Sequence, residues 1–138
     1  MSEAFVSSFA YCRDIKTTNN EYGDITQITL LPYLNINMLS ETYSLKAICA
    51  ISGIDFNKDN SLDVYFVDPE ENILIQHSHK ILLEMIKKYG KKTPEALLLN
   101  IDLATDFKQT GLYKTKIIFN DTCIGTFKIS ILESDINA

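Results

Sequence analysis

Most of this 138-residue chain alternates apolar and polar side chains with a period of two. Successive side chains on a strand point to opposite faces, so such a pattern buries one face and wets the other, whereas a helix needs recurrence near 3.6. Leu45, Ala47, Cys49 and Ile51 fall on one face, as do Leu62, Val64 and Phe66, and then Leu97, Leu99, Ile101 and Leu103. Tyr113, Thr115, Ile117 and Phe119 lead up to Asn120-Asp121, and Gly125, Phe127, Ile129 and Ile131 lead back, which is the pattern of a hairpin.

The interruptions locate the turns. Ala4–Cys12 places Phe5, Phe9 and Tyr11 on one side of a first strand, and Asp14–Gly23, with Thr17-Thr18-Asn19-Asn20, reads as a polar loop. Ile25–Ile36 reads as one long strand or two short ones. Its alternation slips at Leu31-Pro32, and a proline there, which donates no ladder hydrogen bond, predicts an edge strand or a bulge. Asp68-Pro69-Glu70-Glu71-Asn72 has the residues of a tight turn, after which Ile73 and Ile75 begin a returning strand. The period changes once: Ile81, Leu82, Met85, Ile86 and Tyr89 recur at helical spacing, with Gly90 as the stop. The expectation is a mostly β chain: a two-layer antiparallel β-sandwich of seven or eight strands with one inserted short helix near residues 80–90. Residues 1–133 form its single domain and 134–138 a flexible tail. Leu45, Cys49, Leu62, Val64, Phe66, Leu99, Ile101, Tyr113, Ile117, Phe127 and Ile129 are its inward-facing set.

A chain of this length buries roughly two-thirds of its unfolded surface, enough for a core without staples. The net charge of −5 argues against a general nucleic-acid or anionic-membrane surface. The basic cluster Lys87-Lys88 with Lys91-Lys92 is flanked by Glu84 and Glu95 and reads as a solvated face; Tyr113-Lys114-x-Lys116 is a single stripe in an acidic protein. No apolar run approaches the ~20 residues that span a bilayer, and the N-terminus lacks the positive region of a secretory signal. Three cysteines, Cys12, Cys49 and Cys123, cannot all pair within one chain, and each sits in an apolar segment. Free, shielded thiols and a cytoplasmic location are expected.

Gln109-Thr110-Gly111-Leu112-Tyr113-Lys114-Thr115 resembles the immunoglobulin-like corner in which a Gly-x-Tyr step precedes a strand and the tyrosine hydroxyl ties back to upstream backbone. Thr115 stands where an antibody-type domain has its second cysteine, and the chain has no tryptophan. More broadly, an N-terminal strand, Val67-Asp68-Pro69-x-x-Asn72, Phe107-x-x-x-Gly111-x-Tyr113 and a final hairpin resemble an uncharacterised bacterial family of small immunoglobulin-like β-sandwich domains. These are turn and corner residues spread over most of the chain, so the resemblance implies a fold and supplies no site. The Ile81–Tyr89 helix would be an insertion relative to that family.

Two stretches carry candidate chemistry. Asp55-Phe56-Asn57-Lys58-Asp59-Asn60-Ser61-Leu62-Asp63 begins like a calcium loop. An EF-hand, however, closes on a bidentate carboxylate at position 12 and turns on a glycine at position 6, where this chain has Phe66 and Asn60. Asp55, Asp59 and Asp63 remain candidate calcium ligands at a sandwich end, set against a solvated turn whose Asp and Asn side chains cap their own backbone. His77-Ser78-His79, with Glu84 following, puts two imidazoles on one face of a strand, and two His with a carboxylate make an open facial triad. The spacing resembles the first motif of cupins, but Gly90 falls one residue short of that motif's glycine and no third histidine exists. Set against it are two strand histidines near the surface. No Gly-rich phosphate loop or strand-turn-helix elbow is present. The expectation is therefore a non-enzymatic cytoplasmic interaction or binding module with no metal and no cofactor. It would act through a protein partner or self-association at the edge Ile25–Ile36. Two alternatives stand beside it: a cupin-like metal-dependent enzyme using His77, His79 and Glu84, and a phage or mobile-element protein binding a small ligand.

Overall fold

The computed structural model describes residues 3–21, 23–37, 39, 42–82 and 96–134. Among the described residues eleven strands follow one another: β1 (Phe5–Asn20), β2 (Gly23–Leu30), β3 (Tyr33–Ile36), β4 (Thr42–Tyr43), β5 (Lys46–Ser52), β6 (Asn60–Val67), β7 (Ile73–Ile81), β8 (Ala96–Asp102), β9 (Thr105–Asp106), β10 (Gly111–Phe119) and β11 (Thr122–Glu133). They form a four-stranded sheet in the order β2-β1-β5-β8, a five-stranded sheet β3-β11-β10-β6-β7, and a small third sheet β4-β9. Every pairing is antiparallel except that of β3 with β11, which is parallel.

The expected architecture is corrected in three respects. The described chain is all-β, in three sheets rather than two layers of seven or eight strands, and it contains no helix among the described residues. Ile81, the expected first helical residue, is the last residue of β7, where it pairs with Asn60; residues 83–90 of that helix lie outside the described residues, as do the four lysines beside them. Asp14–Gly23 is not a loop. β1 runs through it and pairs with β2, with Thr17 opposite Thr26 and Thr18 opposite Ile25. Thr residues favour strands and pair across them, and a run that is polar at every position from Lys16 to Asn20 carries no alternation to read. Glu133 ends β11, and Ser134, assigned to the tail, still donates its N–H to the Ile36 carbonyl at 2.7 Å; residues 135–138 of the tail lie outside the described residues.

The two larger sheets face one core. Ala47, Cys49 and Ile51 of β5 and Ile101 of β8 meet Leu62, Val64, Phe66, Tyr113, Ile117 and Ile129 of the other sheet, all of them buried. Leu99 and Phe127 are half-buried and pack against that cluster from its margin. Between the sheets, Phe9 stacks on Phe127 with ring centroids 4.1 Å apart and an interplanar angle of 4°, and meets Tyr11 edge-on at 4.9 Å. The Tyr11 hydroxyl reaches across to donate to the Phe127 carbonyl at 2.8 Å and lies 2.7 Å from the buried Thr115 Oγ1. Because the phenol's one proton goes to that carbonyl, Thr115 is the donor in the second bond. Burial raises the Tyr11 pKa well above the usual tyrosine value, so the phenol stays neutral.

Local chemistry fixes the ends. Tyr113 Oη donates to the Gln109 carbonyl at 2.7 Å, closing the expected corner. Gly111, at φ +135°, lies against Pro69, whose Cγ would be 2.8 Å from an added Cβ; a side chain is excluded there. Asn120 and Asp121 have φ of 48° and 67°, the left-handed pair that a two-residue hairpin with this strand twist demands. One register shift lies just beyond that turn: Ile117 pairs with Gly125 but Ile118 with Cys123, so Ile124 is an extra residue. The bulge reverses which positions face inward. Ile124 packs on the core and Cys123 is exposed, which corrects the expectation that all three thiols are shielded; Cys12 and Cys49 are buried, and all three are free.

Truncating Phe127 to Ala removes the stacked ring that joins β11 to β1. We expect a loss of about 3 kcal/mol in urea denaturation, near the low end for such substitutions because the ring is only half-buried. A loss below about 1 kcal/mol would mean that this ring does not hold the two sheets together.

Candidate functional site

The chain changes sheets at Leu31-Pro32. β2 is an edge of the four-stranded sheet and β3 an edge of the five-stranded one. The Leu31 N–H donates to the Tyr11 carbonyl at 2.9 Å, after which proline ends the pairing and releases the chain to β11. The slip in the alternation is thus a crossing between two edges, and it sorts the apolar residues around it. Leu34 and Ile36 point into the core and are buried, which corrects the reading of that segment as an exposed apolar edge. Leu30 and Tyr33, on either side of the crossing, remain 64% and 50% exposed.

The exposed residues extend from there. Tyr33 lies beside Ser130 of β11, and Ser130 lies beside Leu112 of β10; directly opposite residues share a face. Leu132, two positions along β11, is on that same outer face. Leu112 and Leu132 are also exposed, so Tyr33, Leu112 and Leu132 make an apolar corner of the outer face of the five-stranded sheet, while Leu30, which pairs with Cys12 as Cys12 pairs with Lys46, lies on the outer face of the four-stranded sheet. Sequence reading missed the two leucines because both sit at positions alternating with core residues, where a polar side chain is the ordinary choice.

The histidine pair lies on the opposite flank. His77 is opposite Val64 and His79 opposite Leu62, both core residues, so the two imidazoles lie on the inner face of the edge strand β7. Their centroids are 6.5 Å apart, and with Val64, Leu99, Asn100 and Asp102 they line a notch of about 190 Å³ between β7 and β8. His77 Nε2 lies 3.1 Å from the Asp102 carbonyl oxygen. A carbonyl only accepts, so that nitrogen carries the proton and its lone pair is not free for a metal while the bond stands. Glu84, the third expected ligand, lies outside the described residues. Among the described residues no three His, Cys, Asp or Glu side chains converge as metal ligands would.

The calcium-like loop is a plug. Asp55 Oδ1 accepts the Asn57 N–H at 2.9 Å, a self-capping turn. Asn60 is buried and donates to the carbonyls of Asp55 at 2.9 Å and Lys58 at 3.1 Å. Asn120 Nδ2 donates to Asn60 Oδ1 at 2.9 Å, while Asn120 Oδ1 accepts the Ser61 N–H at 2.8 Å, locking the loop onto the β10–β11 turn. Asp63 points elsewhere: it lies on the outer face and accepts from Ser78 Oγ at 2.5 Å. Asp59 shares the loop with Asp55, and the structure does not gather Asp55, Asp59 and Asp63 into one ligand set.

A cleft of about 460 Å³ lies at the Tyr113 end, and its main polar groups are engaged in structure. Asp68 Oδ1 accepts the N–H groups of Glu70 and Asn72 at 2.9 Å each, Gln109 Nε2 donates to its other oxygen at 3.4 Å, and Thr42 bonds Asp106. Burial alone would raise the Asp68 pKa, but the bonds from Asn72, Glu70 and Gln109 together hold it below the usual range. Next to it, Glu71 takes Lys114 at 2.5 Å and Lys116 at 2.9 Å, so one carboxylate ties down both lysines of the basic stripe noted in the sequence.

No family model and no curated protein matches the sequence. Among solved structures, Pseudomonas fluorescens alkylpurine DNA glycosylase bound to DNA containing an abasic site analog overlaps 95% of this chain and 31% of its own, at 7% identity and a TM-score of 0.48. Listeria innocua beta-glucosidase in complex with isofagomine overlaps 92% of this chain and 16% of its own, at 15% identity and a TM-score of 0.49. The CARDB domain of a Pyrococcus furiosus protein in complex with di-metal ions overlaps 94% and 96%, at 10% identity and a TM-score of 0.42. The chain spans less than a third of the length of either enzyme. At that identity and overlap no residue role passes from these proteins to this one.

The Lys114 and Lys116 contacts depress the Glu71 pKa to about 2. A carboxylate with a lowered folded-state pKa stabilises the fold fully above its ordinary value near 4.5, and that contribution fades as pH falls toward about 2. The urea midpoint is therefore expected to drop more steeply between pH 4.5 and 2 in the native chain than in Glu71→Gln. Asp68 titrates on the same side in both proteins and cancels in the comparison. Parallel pH profiles would contradict the pairing.

Proposed function

We propose that this chain is a protein-binding module that works through the flank where β2, the Leu31-Pro32 crossing and β3 meet. One observation carries the reading: Leu30 and Tyr33 flank the crossing at 64% and 50% exposure, each on the outer face of its own sheet, and Leu112 and Leu132 are exposed on the same face as Tyr33. Covering apolar surface contributes roughly 25 cal/mol per Å², and contiguous exposed patches mark interaction sites more often than isolated leucines do. The edges of β2 and β3 add main-chain donors and acceptors to the same flank.

Two further assignments belong to this reading. Free thiols at Cys12, Cys49 and Cys123 support a reducing compartment, which we take to be the cytoplasm. The closed Tyr113 corner and the Asp68–Asn72 turn support membership of the uncharacterised bacterial family of immunoglobulin-like domains that the sequence resembles.

Complementation of a strain lacking the gene tests the function. Leu30→Ser combined with Tyr33→Ser should abolish rescue with an unchanged circular dichroism spectrum, because both side chains face solvent. His77→Ala with His79→Ala should still rescue. The opposite pattern would overturn the reading in favour of chemistry at the β7–β8 notch.

A further inference from the structure

β1 has two halves with different neighbours. Phe5–Cys12 is held between β2 and β5 only at its end, and its ladder runs along β5; from Ile15 to Asn20 its ladder runs along β2 alone. Among the described residues, Ile15–Asn20 and Gly23–Ile28 are therefore a two-stranded ribbon, and no strand pairs with the outer edge of β2. A ribbon of two strands is marginal in water, and a third strand is what ordinarily makes it hold.

Proteins protect a free edge with charge, proline, a bulge or brevity. β3 is four residues long and follows Pro32, and β7 ends with Lys80-Ile81. On β8 the Asp102 carbonyl is already taken by His77. β2 is eight residues long, and Ile25-Thr26-Gln27-Ile28-Thr29-Leu30 contains no charge and no proline; the register shift of this pair lies in β1, between Cys12 and Ile15.

Resting on the binding-module reading above, we propose that the partner at this edge is a second copy of the chain, with β2 pairing antiparallel to β2 across a two-fold axis. Paired residues must share a face, and faces alternate along a strand, so the axis passes through a residue and not between two. An axis through Ile28 sets Thr26 opposite the copy's Leu30 and Gln27 opposite its Thr29. Every position in that stretch is uncharged and Asp24 falls outside it, so two chains of net charge −5 meet there without opposing carboxylates. Ile15 already lies opposite Ile28 within one chain. The same axis therefore aligns Ile15, Ile28, the copy's Ile28 and the copy's Ile15 in one row across four strands. Rows of β-branched residues on one face are a favourable cross-strand arrangement. Centring on Thr26 or Gln27 instead brings Asp24 into the ladder, opposite Ile28 or Leu30.

Light scattering and sedimentation of the full chain test this. The protein should have the mass of a dimer at high micromolar concentration. Gln27→Asp with Thr29→Asp places carboxylate opposite carboxylate on both sides of the axis, while position 27 still faces Lys16 of its own chain, and should weaken the dimer by roughly tenfold or more while leaving the circular dichroism spectrum unchanged. In a Cys123→Ser background, oxidation of Ile28→Cys should give a covalent dimer and Thr18→Cys, on the far strand, should not. A monomer at every concentration, or a dimer indifferent to both added carboxylates and not cross-linked through position 28, overturns the pairing. The two proposals fail separately. A monomer that still loses rescue with Leu30→Ser and Tyr33→Ser loses only the pairing; a cross-linked dimer that keeps rescue with those changes loses only the binding-module reading.

Discussion

The Tyr11 hydroxyl sits between the two larger sheets and is bonded on both sides, to Thr115 Oγ1 and to the Phe127 carbonyl. A buried phenol left without partners would cost roughly 1–3 kcal/mol, so the sheets must stack in the one way that brings β1 over β10 and β11. Phe9 on Phe127 makes the same demand through ring packing. Together they join the sheets without a disulfide. Cys49 lies in the opposing sheet as a buried thiol, its pKa pushed up to about 11 by desolvation, and behaves as a small apolar residue.

With the faces fixed, side-chain hydrogen bonds close the ends. Asp68 organises the β6–β7 turn beside the Tyr113 corner, and Asn60 with Asn120 fastens the Asp-rich loop to the β10–β11 turn. The Asp-rich loop looks like ligand-binding chemistry in the sequence and is taken up by structure in the fold, while the Asp68 turn is the turn its residues predict. The two flanks differ. One is bridged by His77 to Asp102; the other, where Pro32 carries the chain between sheets, keeps two strand edges and an apolar corner open among the described residues.

How much of this the sequence shows follows from what generates periodicity. β5, β6, β10 and β11 each bury one face, so alternation reveals both the strands and their inward residues. Gly-x-Tyr at 111–113 and Asn120-Asp121 are legible because each supplies backbone chemistry that few other residues can. The second half of β1 is not legible, since a run that is polar from Lys16 to Asn20 has no period and its threonines and asparagines mimic a loop. Leu34 and Ile36 mislead because nothing local says that the chain has changed sheets at Pro32. Cys123 misleads because the extra residue at Ile124 reverses the face. Ile81 belongs to both a helical spacing and a strand, and in the structure the pairing with Asn60 decides it. Of the candidate site, the edge around Ile25–Ile36 was visible in the sequence, but which of its residues face solvent depended on partners far along the chain, at Ser130 and Leu112.

The central claim is that paired hydroxyls, and not a thiol bridge, join the sheets. A double-mutant cycle with Tyr11→Phe and Thr115→Val, both close in shape to the originals, measures that link directly by urea denaturation. Tyr11→Phe takes the partner from the buried Thr115 hydroxyl, and Thr115→Val takes one of the two bonds of the Tyr11 hydroxyl, so a coupling energy of about 1 kcal/mol or more is expected, with the double variant less destabilised than the sum of the singles. Strict additivity, within about 0.3 kcal/mol, would show that the two hydroxyls act independently and would contradict the account.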